Sequence, residues 1–222
     1  MEQENIKLKS SDLFLPPDLR MILIGVFTLF RLQIVLHPSI IFVLYLPGAP
    51  RSGKSHFVKE LLRNVDVMRP GIKYKAVLYC NPNLKSVSSK DKKFTEDFQK
   101  ACGSIAVEFL SEIPTIEKLT SLPIDEEWRA MVIIDDFMDS SFKSTVIQQL
   151  FGRLGTHNYI DSVLLVQFAF SKAELFNSIY RCASAIVLFR NPSDRQMVRN
   201  INSKMFPKLS KKRVRINFCK KL

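Results

Sequence analysis

The chain has 222 residues, with 33 Lys and Arg against 21 Asp and Glu and a formal net charge of +12. That length suits one full-sized α/β domain with a substantial core and fits two domains poorly. The charge draws polyanions, nucleic acid first, although a basic enzyme with no such partner satisfies it equally.

Cys80, Cys102, Cys182 and Cys219 form no C-x-x-C pair and lie far apart, which argues against a zinc site or a disulfide framework. A reducing, intracellular compartment fits them. His37, His56 and His157 are equally scattered.

Residues 1–18 are polar, include Pro16-Pro17 and read as a loose lead-in. Met21 to Phe30 is apolar or neutral, and apolar character resumes after Arg31 towards Leu36. A signal-anchor helix is one reading. Arg31, Gln33 and His37 interrupt the run short of the roughly 20 apolar residues that span a bilayer, so a helix or strand packed beside the main sheet is the other. On either reading 1–36 is an N-terminal extension, followed by a core domain over 37–207 and a basic segment over 208–222.

Ile40 to Leu46 is a β-branched, apolar run that predicts a strand. It leads into Gly48-Ala49-Pro50-Arg51-Ser52-Gly53-Lys54-Ser55, which fills G-x-x-x-x-G-K-[ST] at every specified position. Phe57, Val58, Leu61, Leu62 and Val65 then recur at helical spacing. Strand, glycine loop and helix together are the context of a phosphate-binding loop. Gly48 and Gly53 let the backbone curl against phosphate oxygens, and the helix N-terminus supplies partial positive charge. Lys54 reaches the β- and γ-phosphates, and the Ser55 hydroxyl is the expected inner ligand of Mg²⁺.

Pro70-Gly71 stops the helix. Tyr74 to Cys80 predicts a second strand ending in the Asn81-Pro82-Asn83 turn, and Lys85 to Lys93 an exposed loop. Phe94, Phe98 and Ala101 suggest a short amphipathic helix, Ser104 to Leu110 a third strand and Pro114 to Leu119 a brief helix. Met131-Val132-Ile133-Ile134 is then wholly apolar and ends in Asp135-Asp136, the form of a buried parallel strand that delivers acids to its carboxyl edge. This is a Walker B pattern. Asp135 holds Mg²⁺, directly or through water, and Asp136 stands where a carboxylate orients or deprotonates the attacking water.

Phe142, Val146, Ile147, Leu150 and Leu154 mark a further helix, with Gly155 placed to cap it. Ser162 to Gln167 is another buried strand closed by an amide. In P-loop ATPases of the additional-strand type a polar residue there senses the γ-phosphate, and Gln167 fits that place; the alternative is a strand-end residue bonding backbone. Lys172 to Cys182 reads as a helix, Ala185 to Phe189 as the last core strand, Met197 to Ile201 as a short helix and Arg213 to Phe218 as an edge strand. The basic residues from Lys208 onward are either a solvated tail or a DNA-contacting surface.

The phrases Ile-Ile-Asp-Asp-Phe-Met (133–138), Leu-Phe-Gly-Arg (150–153), Thr-His-Asn (156–158), Ser-Val-Leu-Leu-Val-Gln (162–167), Val-Leu-Phe-Arg-Asn-Pro-Ser-Asp (187–194) and Met-Phe-Pro (205–207), in that order after His37-Pro38 and the P-loop, resemble the poxvirus-type genome-packaging ATPases. That group belongs to the FtsK/HerA superclass and has relatives in large DNA viruses, virophages and Polinton-type elements. The resemblance implies a three-layer P-loop NTPase with a mostly parallel central sheet of the additional-strand, RecA-like type. It further implies a homo-oligomeric ring that hydrolyses ATP with Mg²⁺, moves double-stranded DNA through phosphate contacts and works with a capsid protein at the site of virion assembly.

Position by position, Gly48 to Ser55 match Walker A, Asp135 and Asp136 Walker B, and Gln167 the sensor. The chain departs from the family at Thr156-His157-Asn158, at Gln167-Phe168 and at Asn177, where an Arg that stabilises transition-state charge is expected. Arg181, four residues along the same helix, is the candidate replacement. Two other classes compete with the motor: a nucleotide-binding regulatory subunit of low turnover, motivated by Asn177, and a small-molecule kinase, for whose Arg-rich lid Arg181 to Arg199 is a faint match.

Overall fold

A computed structural model of the protein describes residues 14–15, 21–24, 35–36, 43–85, 89–125, 127–137, 144–167 and 182–189. In chain order these hold β1 (Phe14–Leu15), β2 (Met21–Ile24), β3 (Val35–Leu36), β4 (Val43–Pro47), α1 (Lys54–Arg63), α2 (Val65–Met68), β5 (Lys73–Cys80), α3 (Ser89–Cys102) and β6 (Ala106–Leu110). They continue with α4 (Ile116–Thr120), β7 (Trp128–Asp135), α5 (Thr145–Gln149), β8 (Ile160–Val166) and β9 (Ala185–Leu188).

Seven strands form one sheet in the order β2-β9-β4-β8-β7-β5-β6, and every pairing in it is parallel. β1 and β3 form a separate parallel pair. The central strands are apolar nearly end to end because both of their faces are covered. On one face Leu44, Leu46, Met131, Ile133, Val163 and Leu165 pack under Phe57, Val58, Leu61 and Leu62 of α1 and Phe98 of α3. On the other, Val43, Tyr45, Val132, Ile134, Leu164 and Val166 meet Leu119 of α4, Ile147 of α5 and Leu150 and Phe151 beyond it. The result is a three-layer α/β domain of the P-loop NTPase type. β8 lies between the strand that feeds the glycine loop and the strand that carries the acids, which is the additional-strand arrangement.

Met21–Ile24 is a strand, paired along its length with β9 at the sheet edge, one of the forms that the sequence left open for it. Two other elements differ from their sequence reading. Of the Lys85 to Lys93 stretch read as loop, Ser89 onward already belongs to α3, whose polar first turns precede the buried positions that reveal it. Gly155 is not a cap. It holds right-handed helical angles in the helical segment after α5, Leu150–Leu154 followed by Gly155–His157, a segment that is kinked at Gly152 where φ is −107° and ψ −112°. A Cβ at Gly155 would lie 2.4 Å from the Leu150 carbonyl oxygen and 3.1 Å from that of Ile160, so close backbone approach explains the glycine. The readings over 172–181, 197–201 and 208–222 lie outside the described residues.

Candidate functional site

Four strands end at the same edge of the sheet, and each delivers part of one cluster. β4 passes into the glycine loop, where Gly48 N donates to Val166 O at 3.0 Å and Phe189 N donates to Pro47 O at 3.0 Å. A Cβ on Gly48 would sit 2.4 Å from Phe189 Cβ, so only glycine lets the loop leave β4 beside β9. Gly53 has φ 99°, a left-handed angle that glycine takes without strain, and it turns the chain into α1. The first turn of α1 carries no acid, leaving the positive end of the helix dipole uncompensated.

Lys54 Nζ donates to Gly48 O at 2.6 Å and Ala49 O at 2.9 Å, which sets the ammonium against the first two peptides of the loop. Burial lowers its pKa below the ordinary lysine value, while the charges of Asp135 and Asp136 pull the other way. Arg51 is exposed and has φ 59°, a left-handed conformation that costs a non-glycine residue energy.

Asp135 ends β7 on the α1 face of the sheet and is 7% exposed. Its Oδ2 accepts from Ser55 Oγ at 3.3 Å and also from the Tyr79 hydroxyl. Burial raises the Asp135 carboxyl above the usual carboxylate range; the Tyr79 hydrogen bond opposes this, Asp136 adds to it, and Lys54 and Ser55 oppose it. Burial likewise pushes the Tyr79 phenol well above its ordinary value, so the phenol stays a donor.

Asp136 has φ 61°, which swings it off the strand's alternation and onto the sheet edge. There it accepts from Gln167 Nε2 at 2.8 Å and from Asn83 Nδ2 at 3.4 Å. The two acids thus take different surroundings. Asp135 is buried against the loop serine, and Asp136 is half-buried between two amides from the strands on either side of β7.

Lys54, Ser55, Asp135, Asp136 and Gln167 therefore converge, together with the loop from Gly48 through Ala49, Pro50, Arg51, Ser52 and Gly53. Arg181 and Asn177 lie outside the described residues. Two members of the cluster were not singled out from the sequence. Tyr79 reads there as an ordinary core position of an alternating strand, and Asn83 as a turn former.

The oxygen pair fits a hard cation. Adjacent ligands of an octahedral Mg²⁺ at about 2.1 Å lie ~3 Å apart, and Ser55 Oγ and Asp135 Oδ2 are 3.3 Å apart. Among the described residues there is no group of three or more His, Cys, Asp or Glu that could hold a metal ion. A cation here needs the oxygens of a bound phosphate or water to complete its shell. No helix among the described residues is long and apolar enough to cross a membrane.

No family model matches the chain, and no curated protein does. Among solved structures it is similar to Thermomonospora curvata EccC (ATPases 2 and 3) in complex with a signal sequence peptide, with a TM-score of 0.42 and 10% identity. That match covers 68% of this chain and 30% of the other.

Proposed function

We propose that the chain is a P-loop ATPase that couples ATP hydrolysis to movement of double-stranded DNA, as a packaging or translocating motor built as a homo-oligomeric ring. The observation that carries the ATPase part is the Ser55 to Asp135 contact at 3.3 Å, which joins the glycine loop to the acid strand across 80 residues of sequence. In this reading the loop amides and Lys54 cradle the triphosphate. Ser55 and Asp135 would hold Mg²⁺, which when bound neutralises phosphate charge. Asp136 takes or orients the proton of the attacking water, and Gln167, bonded to Asp136, places an amide where water and γ-phosphate meet. The work is positioning and charge compensation rather than covalent chemistry.

The DNA part rests on the net charge of +12 and on the family resemblance. Binding of that kind is to phosphates, independent of sequence and sensitive to salt. A capsid protein would be the further partner of a packaging motor. The second reading is a nucleotide-binding regulatory subunit of low turnover, favoured by Asn177 where an Arg is expected.

The test is ATP hydrolysis by purified protein with and without double-stranded DNA at two salt concentrations, beside Lys54→Ala. Turnover that needs Lys54, rises with DNA and fades at high salt supports the motor. Nucleotide binding that needs Lys54 without turnover selects the regulatory reading. Turnover that responds to a small acceptor and not to DNA points to a kinase.

A further inference from the structure

Tyr79 is the penultimate residue of β5, one strand away from Asp135, and shares its face of the sheet. Its ring is 1% exposed and wedged among three aromatics: Phe98 of α3 at 4.6 Å between centroids, Phe94 of α3 at 5.3 Å and Phe109 of β6 at 6.0 Å. Phe94 and Phe109 also pack on Phe98, both at 5.8 Å, so the wall behind Tyr79 is continuous.

Filling that space requires only a ring. A phenylalanine would do it without burying a hydroxyl, which is costly unless bonded. The hydroxyl of Tyr79 is bonded, and its acceptor is the Asp135 oxygen that also meets Ser55. Two donors, one on the sheet and one on the P-loop helix, thus converge on one carboxylate oxygen. Both bonds fall on Oδ2, so about two of the carboxylate's four acceptor positions, those on Oδ1, remain for a cation or its water.

We propose that Tyr79 is a positioning residue for the metal–nucleotide complex: its phenol, braced by the aromatic wall, fixes the Asp135 carboxylate so that Ser55 and Asp135 present a preformed oxygen pair to a divalent cation. The inference rests on the ATPase reading above. Mg²⁺ demands near-ideal octahedral geometry, which makes a fixed carboxylate worth more than a mobile one. Partners that orient a metal ligand from behind typically change metal affinity by ~10–100-fold when removed.

The probe is Mn²⁺, titrated by electron paramagnetic resonance against the full chain in the presence of β,γ-imido-ATP. In Tyr79→Phe the ring and its packing remain and only the phenol oxygen goes. The expected result is a Mn²⁺ dissociation constant raised about tenfold, with binding of the same nucleotide in EDTA changed less than about twofold. Phe98→Leu, which loosens the wall without touching a polar group, is expected to weaken Mn²⁺ in the same direction by about two- to threefold.

Wild-type Mn²⁺ affinity in folded Tyr79→Phe overturns the proposal and leaves the ATPase reading standing. A Tyr79→Phe protein that also loses nucleotide in EDTA overturns it as well, because the loss is then general damage. Wild-type protein that binds no imido-ATP at all defeats the ATPase reading and this proposal with it.

Discussion

At the scale of single residues the site is held in a state of electrostatic cost. Lys54 is half-buried with its pKa lowered by burial, and Asp135 is buried with its pKa raised by the same cause. For Lys54 a lowered folded pKa means that folding while charged at neutral pH is disfavoured relative to the unfolded chain, and a bound triphosphate reverses that. Saturating Mg²⁺–ATP analogue at about 100 times its Kd is therefore expected to stabilise the protein by ~2.7 kcal/mol, seen as a raised Tm. Lys54→Ala should abolish the shift while leaving the unliganded Tm unchanged or slightly higher. With the role proposed for Asp136 at the attacking water, Asp136→Asn is expected to lower turnover by ~10²–10⁴-fold with nucleotide binding kept, as measured by steady-state kinetics beside equilibrium binding. Thiols give an independent residue-scale reading. Burial pushes both Cys80 and Cys102 up to about 12, whereas Cys182 is exposed. At pH 8 Cys182 should label rapidly with a thiol reagent, and Cys80 and Cys102 only on unfolding. Because a raised folded pKa keeps its proton while the unfolded thiol loses it, stability should fall as pH rises from about 8.5 towards the folded value. A urea midpoint that stays flat between pH 7.5 and 10 would contradict this.

At the scale of elements, the sheet is built from strands whose chemistry lies at their ends, and glycines decide how closely those ends approach. Gly155→Ala forces a Cβ to within 2.4 Å of a backbone oxygen that a side-chain rotation cannot move. The expected cost is at the upper end of the ~1–3 kcal/mol typical of overpacking, with a Tm lowered by roughly 5–10 °C for a domain of this size. Differential scanning calorimetry checks it. The same element shows where sequence reading stops. Gly155 after a helical pattern resembles a cap, because periodicity reports which residues face a core and is silent on how near another backbone comes. By contrast β4, the glycine loop, α1, β7 and β8 were legible. The three strands are nearly continuous apolar runs abutting residues of restricted chemistry, Gly-Lys-Ser, Asp-Asp or a lone Gln, and α1 follows its loop with apolar residues at helical spacing. β2 was legible only as one of two alternatives, since its partner β9 lies some 160 residues away, and Tyr79 and Asn83 were missed because the neighbour of β5 is set by long-range pairing. A hydroxyl on a core-facing aromatic carries no local mark of the carboxylate it will meet.

At the scale of the whole molecule, the sheet separates two charged clusters of opposite purpose. Arg129 and Asp161 are the second residues of β7 and β8, so at ~3.3 Å per residue they lie ~20 Å from the edge that carries Asp135 and Gln167. Asp161 is fully buried. Its carboxylate faces Arg69 Nη2 at 3.4 Å and Arg129 Nη1 at 3.6 Å and accepts from the Tyr74 hydroxyl, tying the turn before β5 to β7 and β8. Burial lowers the Arg129 pKa, with Asp161 opposing it, and pushes the Tyr74 phenol well up. One carboxylate thus serves two guanidiniums that are 2% and 3% exposed, and it is the member whose loss does most harm. Asp161→Asn removes the negative charge that faces both buried guanidiniums, which is expected to cost up to ~3–5 kcal/mol. The distance makes a second expectation independent of the first. Below its lowered Tm, the variant should bind nucleotide with unchanged affinity, since nothing at the edge that carries Asp135 and Gln167 has moved. Chemical denaturation with and without a Mg²⁺–ATP analogue measures both. A variant as stable as the parent would mean that the guanidiniums find water or other partners, and a stable variant with weakened nucleotide binding would mean that the strands transmit strain along their whole length.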